Sequence, residues 1–169
     1  IGITDGTIAT PDVDEFTFDL TGHVGRNIDI IVTGFEGQHY ENETLELIAP
    51  DGTTVLATGT ATPVGGVNAS NFDLGILSFV VPADGIYTAR VTAPFDDVAY
   101  SLVVSYGLTF DAEPNNNRNS DALRTIASND LGIGYLDAAT DANDFYKIEL
   151  TAGAVVTLTT AFAHEVEFS

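Results

Sequence analysis

Short runs in which apolar and polar residues alternate follow one another along most of the chain, which is the pattern of half-buried β-strands. Tyr87, Ala89 and Val91, for example, share one face of such a run, and polar residues occupy the other. Runs of this kind cover 15–20, 27–33, 44–48, 53–57, 74–81, 86–91 and 99–105, with Pro-, Asp- or Gly-rich turns at 50–52, 65–66 and 82–85. Strands at this spacing predict an all-β fold, an antiparallel β-sandwich of the jelly-roll-like kind.

Helical periodicity is weak throughout. Only 120–127 places apolar residues at helical spacing, and it predicts a turn or two of helix. The inward faces of the predicted strands specify a core formed by Phe16, Phe18, Leu20, Ile28, Ile30, Leu45, Leu47, Phe79, Tyr87, Val91, Leu102 and Val104. Four further aromatic residues, Tyr40, Phe72, Phe95 and Phe110, either line a ligand-binding face or belong to this core, and core positions are the commoner use.

One phrase occurs twice in the chain. Residues 14–21 (DEFTFDLT) are echoed by 144–151 (DFYKIELT), and each copy continues through a glycine, Gly25 or Gly153, into an alternating run. A repeat of this kind predicts that the same domain is used twice. Modules strung together in this way usually bind or space other structures.

The repeat divides the chain into three parts. They are a complete β-sandwich module at 1–106, an acidic, Asn-rich joint at 107–119, and the N-terminal part of a second, truncated module at 120–169. The second copy is predicted to form strands at 134–136, 145–150 and 154–161. The partners of these strands in the first copy come from 45–105, so we expect Tyr146, Val156 and Leu158 to be exposed. Missing residues of a parent chain, the surface of the first module or another subunit would complete the tail.

The composition is strongly acidic. Asp and Glu number 25, Lys and Arg number 5, and the net charge is −20, which argues against nucleic acid and anionic membrane surfaces as partners. No run is apolar and long enough to span a bilayer, so no membrane insertion is expected. Such a charge suits hard cations or a salty exterior, although solubility alone explains most of the carboxylates. Cysteine is absent, which excludes disulfides and thiol chemistry.

Several short motifs together resemble a known family. Residues 113–116 (EPNN), followed by 144–146 (DFY), resemble the opening of bacterial pre-peptidase C-terminal domains. In the first copy, 50–53 (PDGT), 85–91 (GIYTARV) and 100–104 (YSLVV) are similar to the rest of that domain. The resemblance covers nearly the whole chain, as tandem copies of which the second is truncated.

The resemblance implies a function and a cofactor. Members of this family are non-catalytic β-sandwich modules of secreted or cell-surface bacterial proteins, often beside a peptidase or repeated in giant surface proteins. The related collagen-binding domains of bacterial collagenases bind calcium through an acidic, Asn-rich segment and a loop with two aspartates. The implied Ca²⁺ ligands here are the side chains of Asp111, Glu113, Asn115, Asn116, Asp141 and Asp144 and the carbonyl oxygen of Phe145.

The residue types support calcium on chemical grounds. Ca²⁺ takes about six to eight oxygen ligands from carboxylates, amides and backbone carbonyls, and crowded carboxylates repel one another unless a cation lies between them. The loop at 141–146 is not an EF-hand, because it lacks the third oxygen ligand and the glycine of such a loop. The alternative is a solvated turn in a flexible linker. In the first copy, Asp14 corresponds to Asp144, but Pro11 stands in place of Asp141, so this copy is the weaker candidate.

Signatures of catalysis are hard to find. The three histidines, His23, His39 and His164, stand alone in the sequence, and no metalloprotease, nucleophile-elbow or phosphate-loop motif occurs. We therefore expect a non-catalytic binding or spacer module outside the cell or at its surface, with an extracellular protein or polysaccharide as the candidate ligand. Two rivals remain, a structural stalk or fibre segment of a giant surface protein and, less favoured, a hydrolase.

Overall fold

The computed structural model describes residues 12–34, 43–61, 72–93, 99–111, 115–120, 123–127, 130–134, 136 and 142–161. Within these residues the chain forms β-strands and no helix, which confirms the predicted all-β fold. The strands are β1 Asp12–Asp19, β2 Asn27–Gly34, β3 Thr44–Ile48, β4 Val55–Thr58, β5 Thr60–Ala61, β6 Leu74–Val80, β7 Ile86–Ala93, β8 Tyr100–Ser105, β9 Leu108–Phe110, β10 Thr125–Ile126, β11 Leu131–Ile133 and β12 Lys147–Ile148. In the same part of the chain, no helix is long and apolar enough to cross a membrane.

The first eight strands form two antiparallel sheets. One sheet has the order β1-β7-β3-β4 and the other has the order β5-β6-β2-β8. Side chains from both sheets join one buried apolar cluster, in which Ile30 of β2 and Leu47 of β3 are 0% exposed, and a core shared in this way is typical of a sandwich. Alternation explains the burial along β7, where Tyr87, Ala89 and Val91 are buried and the residues between them are only partly buried.

One side of the two sheets is closed by the chain itself. Only Gly59 separates β4 from β5, and its N–H donates to the carbonyl oxygen of Leu45 at 2.7 Å. A Cβ atom on Gly59 would lie 2.9 Å from the Cβ of Leu45. Glycine therefore lets the chain cross here from one sheet to the other with the backbone close against β3.

The opposite side is a seam between two edge strands, β1 and β8. The hydroxyl group of Tyr100 in β8 donates a hydrogen bond of 2.7 Å to the carboxylate of Asp14 in β1. The ring of Tyr100 meets that of Phe16 edge-on at a centroid distance of 6.3 Å. Burial raises the pKa of Tyr100 and the Asp14 carboxylate raises it further, so the hydroxyl remains a hydrogen-bond donor. The acidic side chains along β1 also discourage pairing of this edge with another chain.

The predicted core is confirmed at most of its positions. Leu20, Ile28, Ile30, Leu45, Leu47, Tyr87 and Val91 are buried, and Phe18, Phe79, Leu102 and Val104 pack against them partly buried. The prediction is wrong for Phe16, which is 43% exposed because it lies on an edge strand at the seam. Val32, Ile48, Leu74, Ile76 and Val81 are also buried, although the predicted core does not include them.

A further layer covers the outer face of β2. β9 and β11 pair in parallel, and Phe110 of β9 joins a second buried cluster with Ile31 of β2 and Phe72. The middle of β2 is therefore buried on both faces, whereas simple alternation predicts one solvent face. Of the four aromatic residues that had two interpretations, Phe72 and Phe110 are core residues, and Tyr40 and Phe95 lie outside the described residues.

The second copy forms shorter strands than predicted. The strand predicted at 134–136 lies instead at β11, the strand predicted at 145–150 is reduced to β12, and 154–161 forms no strand. Among the described residues these segments lack the long antiparallel partners that β1 and β2 have in the first copy. Strand formation depends on such partners, so alternation alone overestimates it here.

Residues 120–127 do not form the predicted helix where they are described. They contain β10, which pairs in parallel with β12. Val156 and Leu158 are exposed as expected, whereas Tyr146 is partly buried. The boundaries of the two modules stay a prediction.

Candidate metal centre

Asp111 is held in place by the pairing of β9 with β11. It directly follows β9, and its backbone N–H donates to the carbonyl oxygen of Ile133 at 2.8 Å. The residue is 0% exposed. A buried carboxylate is costly unless hydrogen bonds or a cation compensate its charge. The groups around Asp111 therefore decide what this site can bind.

Asn115 lies beside this carboxylate and is buried as completely. Its side-chain N–H donates to Oδ1 of Asp111. Its backbone carbonyl oxygen accepts a hydrogen bond from the N–H of Phe145 at 3.2 Å. The acidic, Asn-rich segment thus meets the loop that contains Asp144.

Gly134 provides the space in which the two segments meet. A Cβ atom on this glycine would lie 2.7 Å from Oδ2 of Asp144, 2.8 Å from the hydroxyl oxygen of Tyr146 and 3.8 Å from the Cβ of Asp111. The first two distances are too short for a real Cβ. The absent side chain therefore makes room for the Asp144 carboxylate and the Tyr146 hydroxyl group at a point close to Asp111.

Three oxygen atoms at this point are hidden from solvent. They are Oδ2 of Asp111, Oδ1 of Asn115 and Oδ1 of Asp144, and none of the three takes part in a hydrogen bond. The residues that carry them make other interactions, so the observation concerns these atoms alone. We call Asp111, Asn115 and Asp144 the oxygen cluster. Two carboxylates and an amide are the hard oxygen donors that Ca²⁺ takes in proteins, so the cluster fits this ion.

The predicted ligands differ in how far the structure describes them. It brings together Asp111, Asn115 and Asp144, leaves Asn116 and Phe145 next to them in the chain, and does not describe Glu113 and Asp141. Among the described residues, no group of three or more His, Cys, Asp or Glu side chains could hold a metal ion. A complete calcium site would therefore need ligands beyond the oxygen cluster, and the full ligand set stays a prediction.

The first copy has a different environment at the equivalent position. Asp14, the counterpart of Asp144, is exposed and accepts the hydroxyl proton of Tyr100. In the sequence, Gly134 is only the first residue of the strand predicted at 134–136. Its role in making room for the Asp144 carboxylate could not be recognised without the fold, because it depends on the pairing of β9 with β11.

Comparison with protein-family models, curated proteins and solved structures found no match for this chain. The resemblance to the pre-peptidase C-terminal domain is therefore a hypothesis that depends on the sequence motifs alone. The oxygen cluster is a separate, geometric observation, and a metal site can be argued from it without the resemblance.

Proposed function

We propose that calcium binds at the oxygen cluster and stiffens a non-catalytic binding or spacer protein built from sandwich modules. The observation that carries the proposal is the convergence of Asp111, Asn115 and Asp144 beside Gly134. Asp111 is fully buried and Asp144 is partly buried, and neighbouring carboxylates repel each other unless a cation or a proton reduces their charge. Surroundings made of oxygen atoms favour Ca²⁺ over metals that prefer nitrogen or sulfur ligands.

A bound ion would join parts of the chain that are distant in sequence. Asp111 follows β9, which packs on β2 of the first module, and Asp144 shortly precedes β12. A metal ion held between them adds a cross-link that the unfolded chain does not have. At calcium concentrations above the dissociation constant, the free energy of unfolding would therefore rise with the logarithm of the calcium concentration.

The resemblance supports a place for such a module in a secreted or cell-surface bacterial protein. Calcium sites of extracellular modules have dissociation constants of about 10⁻⁴–10⁻³ M, so they are filled outside cells without high affinity. The module would act beside another domain, such as a peptidase, and would bind an extracellular protein or a polysaccharide. The net charge of −20 is in keeping with a module that binds hard cations.

A stalk or fibre segment is the second candidate, and one observation favours it. Phe110 and Ile31 pack together with Phe72 between β2 and the layer of β9 and β11. Apolar packing of this kind holds the start of the joint against the first module, and a stalk needs rigid junctions. The stalk would be favoured if the protein has no measurable affinity for extracellular proteins or polysaccharides and if small-angle scattering shows a stiff rod.

Calorimetry tests the calcium proposal directly. We expect calcium titrated into the metal-free chain to release or absorb heat with about one ion bound, and EDTA to lower the melting temperature reversibly. Asp144→Asn and Asp111→Asn should each weaken binding by at least tenfold, because each removes a ligand charge from the oxygen cluster.

Asp14→Asn is the matched control. It makes the same change of charge at the equivalent position of the first copy, where the carboxylate is exposed at the seam. Its calcium affinity should stay within about twofold of wild type, as expected for an exposed charge in screening solvent. Identical melts with and without EDTA, together with the absence of titration heat, would leave only an Asn-rich linker and would end the proposal.

A further inference from the structure

Asp29 is a buried acid in the middle of an apolar strand. It lies on the outer face of β2 at 2% exposure. Its Oδ1 accepts the N–H of Ser78 at 2.7 Å, and its Oδ2 accepts the N–H of Phe110 at 3.2 Å. The carboxylate therefore holds the end of β9 against β2, one residue before Asp111.

Arg124 neutralises this acid. Its Nη2 lies 2.8 Å from Oδ1 and 2.7 Å from Oδ2 of Asp29. The side chain of Arg124 is 11% exposed and that of Asp29 is 3% exposed. The N–H groups of Ser78 and Phe110 donate two further hydrogen bonds to the Asp29 carboxylate, which helps a buried ion pair to be tolerated, whereas Nη1 of Arg124 is buried without a hydrogen-bond partner among the described residues. The pair thus ties residue 124 to the first module.

The backbone of Arg124 holds the other half of the oxygen cluster. Its carbonyl oxygen accepts the N–H of Lys147 at 2.8 Å, where β10 pairs with β12. Lys147 lies three residues after Asp144. One residue is thereby linked to both acids of the cluster, to Asp111 through Asp29 and Phe110, and to Asp144 through β12.

We propose that Arg124 and Asp29 are positioning residues of the calcium centre, and that the first module thereby sets its affinity. The inference rests on the proposed calcium function. Neither residue belongs to the oxygen cluster, so they act by fixing the backbone that carries Asp111 and Asp144. Supporting residues of this kind typically change metal affinity by about 10–100-fold when they are replaced.

The sign of the effect separates positioning from simple electrostatics. Arg124 is a cation, so removing its charge should strengthen the binding of another cation if charge alone matters. Loss of positioning predicts weaker binding. Arg90→Gln is the charge-matched control, because Arg90 pairs with Glu15 and Glu46 at the surface of the first sheet.

The test is calcium titration calorimetry on the full 169-residue chain, with wild type, Arg124→Gln, Asp29→Asn/Arg124→Gln and Arg90→Gln. The double variant keeps the net charge and leaves no unpaired buried ion, so it protects the test against misfolding. We expect both Arg124 variants to bind calcium at least about tenfold more weakly. Arg90→Gln should bind as tightly as wild type or slightly more tightly.

Thermal melts distinguish positioning from general destabilisation. A variant that is only less stable has a lower melting temperature but keeps the full calcium-induced rise, whereas weaker binding reduces that rise. Wild-type affinity in both Arg124 variants would overturn the inference and leave the calcium function intact. Absence of calcium binding by wild type would overturn both.

Discussion

The two copies of the repeated phrase adopt different structures, although their sequences are alike. In the first copy, β1 is paired along its whole length with β7, from Asp12 opposite Ala93 to Asp19 opposite Ile86. In the second copy, only Lys147–Ile148 is a strand, and its partner is the short β10. The phrase supplies the capacity to form a strand. A long antiparallel partner decides whether the strand forms.

The same comparison separates the two equivalent acids. Asp14 lies at an exposed seam and accepts the hydroxyl proton of Tyr100. Asp144 lies beside Asp111 and Asn115, where part of its carboxylate is hidden from solvent. Asp14 therefore contributes a hydrogen bond to the seam. Asp144 lies near a second acid, Asp111, where a cation would reduce the repulsion between the carboxylates.

The largest expected difference between the copies lies in their apolar residues. Leu47 of β3 is 0% exposed, so Leu47→Ala should lower the free energy of unfolding by about 2–5 kcal/mol. Leu158 of the second copy is 73% exposed, and Leu158→Ala should change it by less than about 0.5 kcal/mol. Urea denaturation measures both. Equal costs would show that the second copy has a core of its own.

Gly134→Ala should have the next largest effect. Its Cβ would lie 2.7 Å from Oδ2 of Asp144, and because Gly134 is exposed we expect a cost near the lower end of the range of about 1–3 kcal/mol for overpacking. Calcium binding should be lost as well, as titration would show. Gly132→Ala is the matched control in β11, because its Cβ would also lie 2.7 Å from a side chain, that of Ile126, but would contact no residue of the oxygen cluster. A Gly134→Ala variant with normal calcium affinity would contradict the geometry of the oxygen cluster.

At the seam of the first copy the expected cost is smaller. Tyr100→Phe keeps the ring contact with Phe16 but removes the hydrogen bond to Asp14. Because this bond is partly open to solvent, its loss should lower the free energy of unfolding by about 0.5–1 kcal/mol. Chemical denaturation of Tyr100→Phe, Asp14→Ala and the double variant gives the coupling between the two groups. Simple additivity would mean that the seam contributes nothing through this bond.

The smallest predicted effect is a pH dependence in the turn between β3 and β4. Hydrogen bonds from the side chain and backbone of Thr54, and from the backbone of Thr53, lower the pKa of Asp51 to about 2. The folded-state pKa lies below that of the unfolded chain, so the ionised carboxylate stabilises the fold above about pH 4, and this is lost as the pH falls towards 2. Melting temperatures of wild type and Asp51→Asn should therefore converge in acid. A constant difference from pH 7 to 2 would rule this out.

Alternation along the chain predicted much of the two sheets formed by β1 to β8. The buried positions of β7 follow directly from it, because Tyr87, Ala89 and Val91 lie on the one face that meets the other sheet. It failed for Phe16, since a sequence does not reveal which strand lies at an edge. It also failed for Ile31 of β2, whose cover comes from β9 and β11 much later in the chain.

The candidate site was predictable only in part. Residue types and the resemblance selected Asp111, Asn115 and Asp144, which the fold brings together. Asp29 and Arg124 gave no signal, because 95 positions separate them and neither stands in a motif. A contact of this kind is a product of the tertiary arrangement, so local patterns do not encode it.

Coverage of β2 on both faces has a consequence for how the protein opens. Amide hydrogens of β2 lie between β6 and β8 within their sheet, and neighbouring layers shield both sides of the strand. They should exchange with deuterated solvent only when the whole structure unfolds, whereas those of β1 at the seam should exchange through local fraying. The slowest protons of β2 would then report the combined stability of the two sheets and the layer packed on β2, as one cooperative unit.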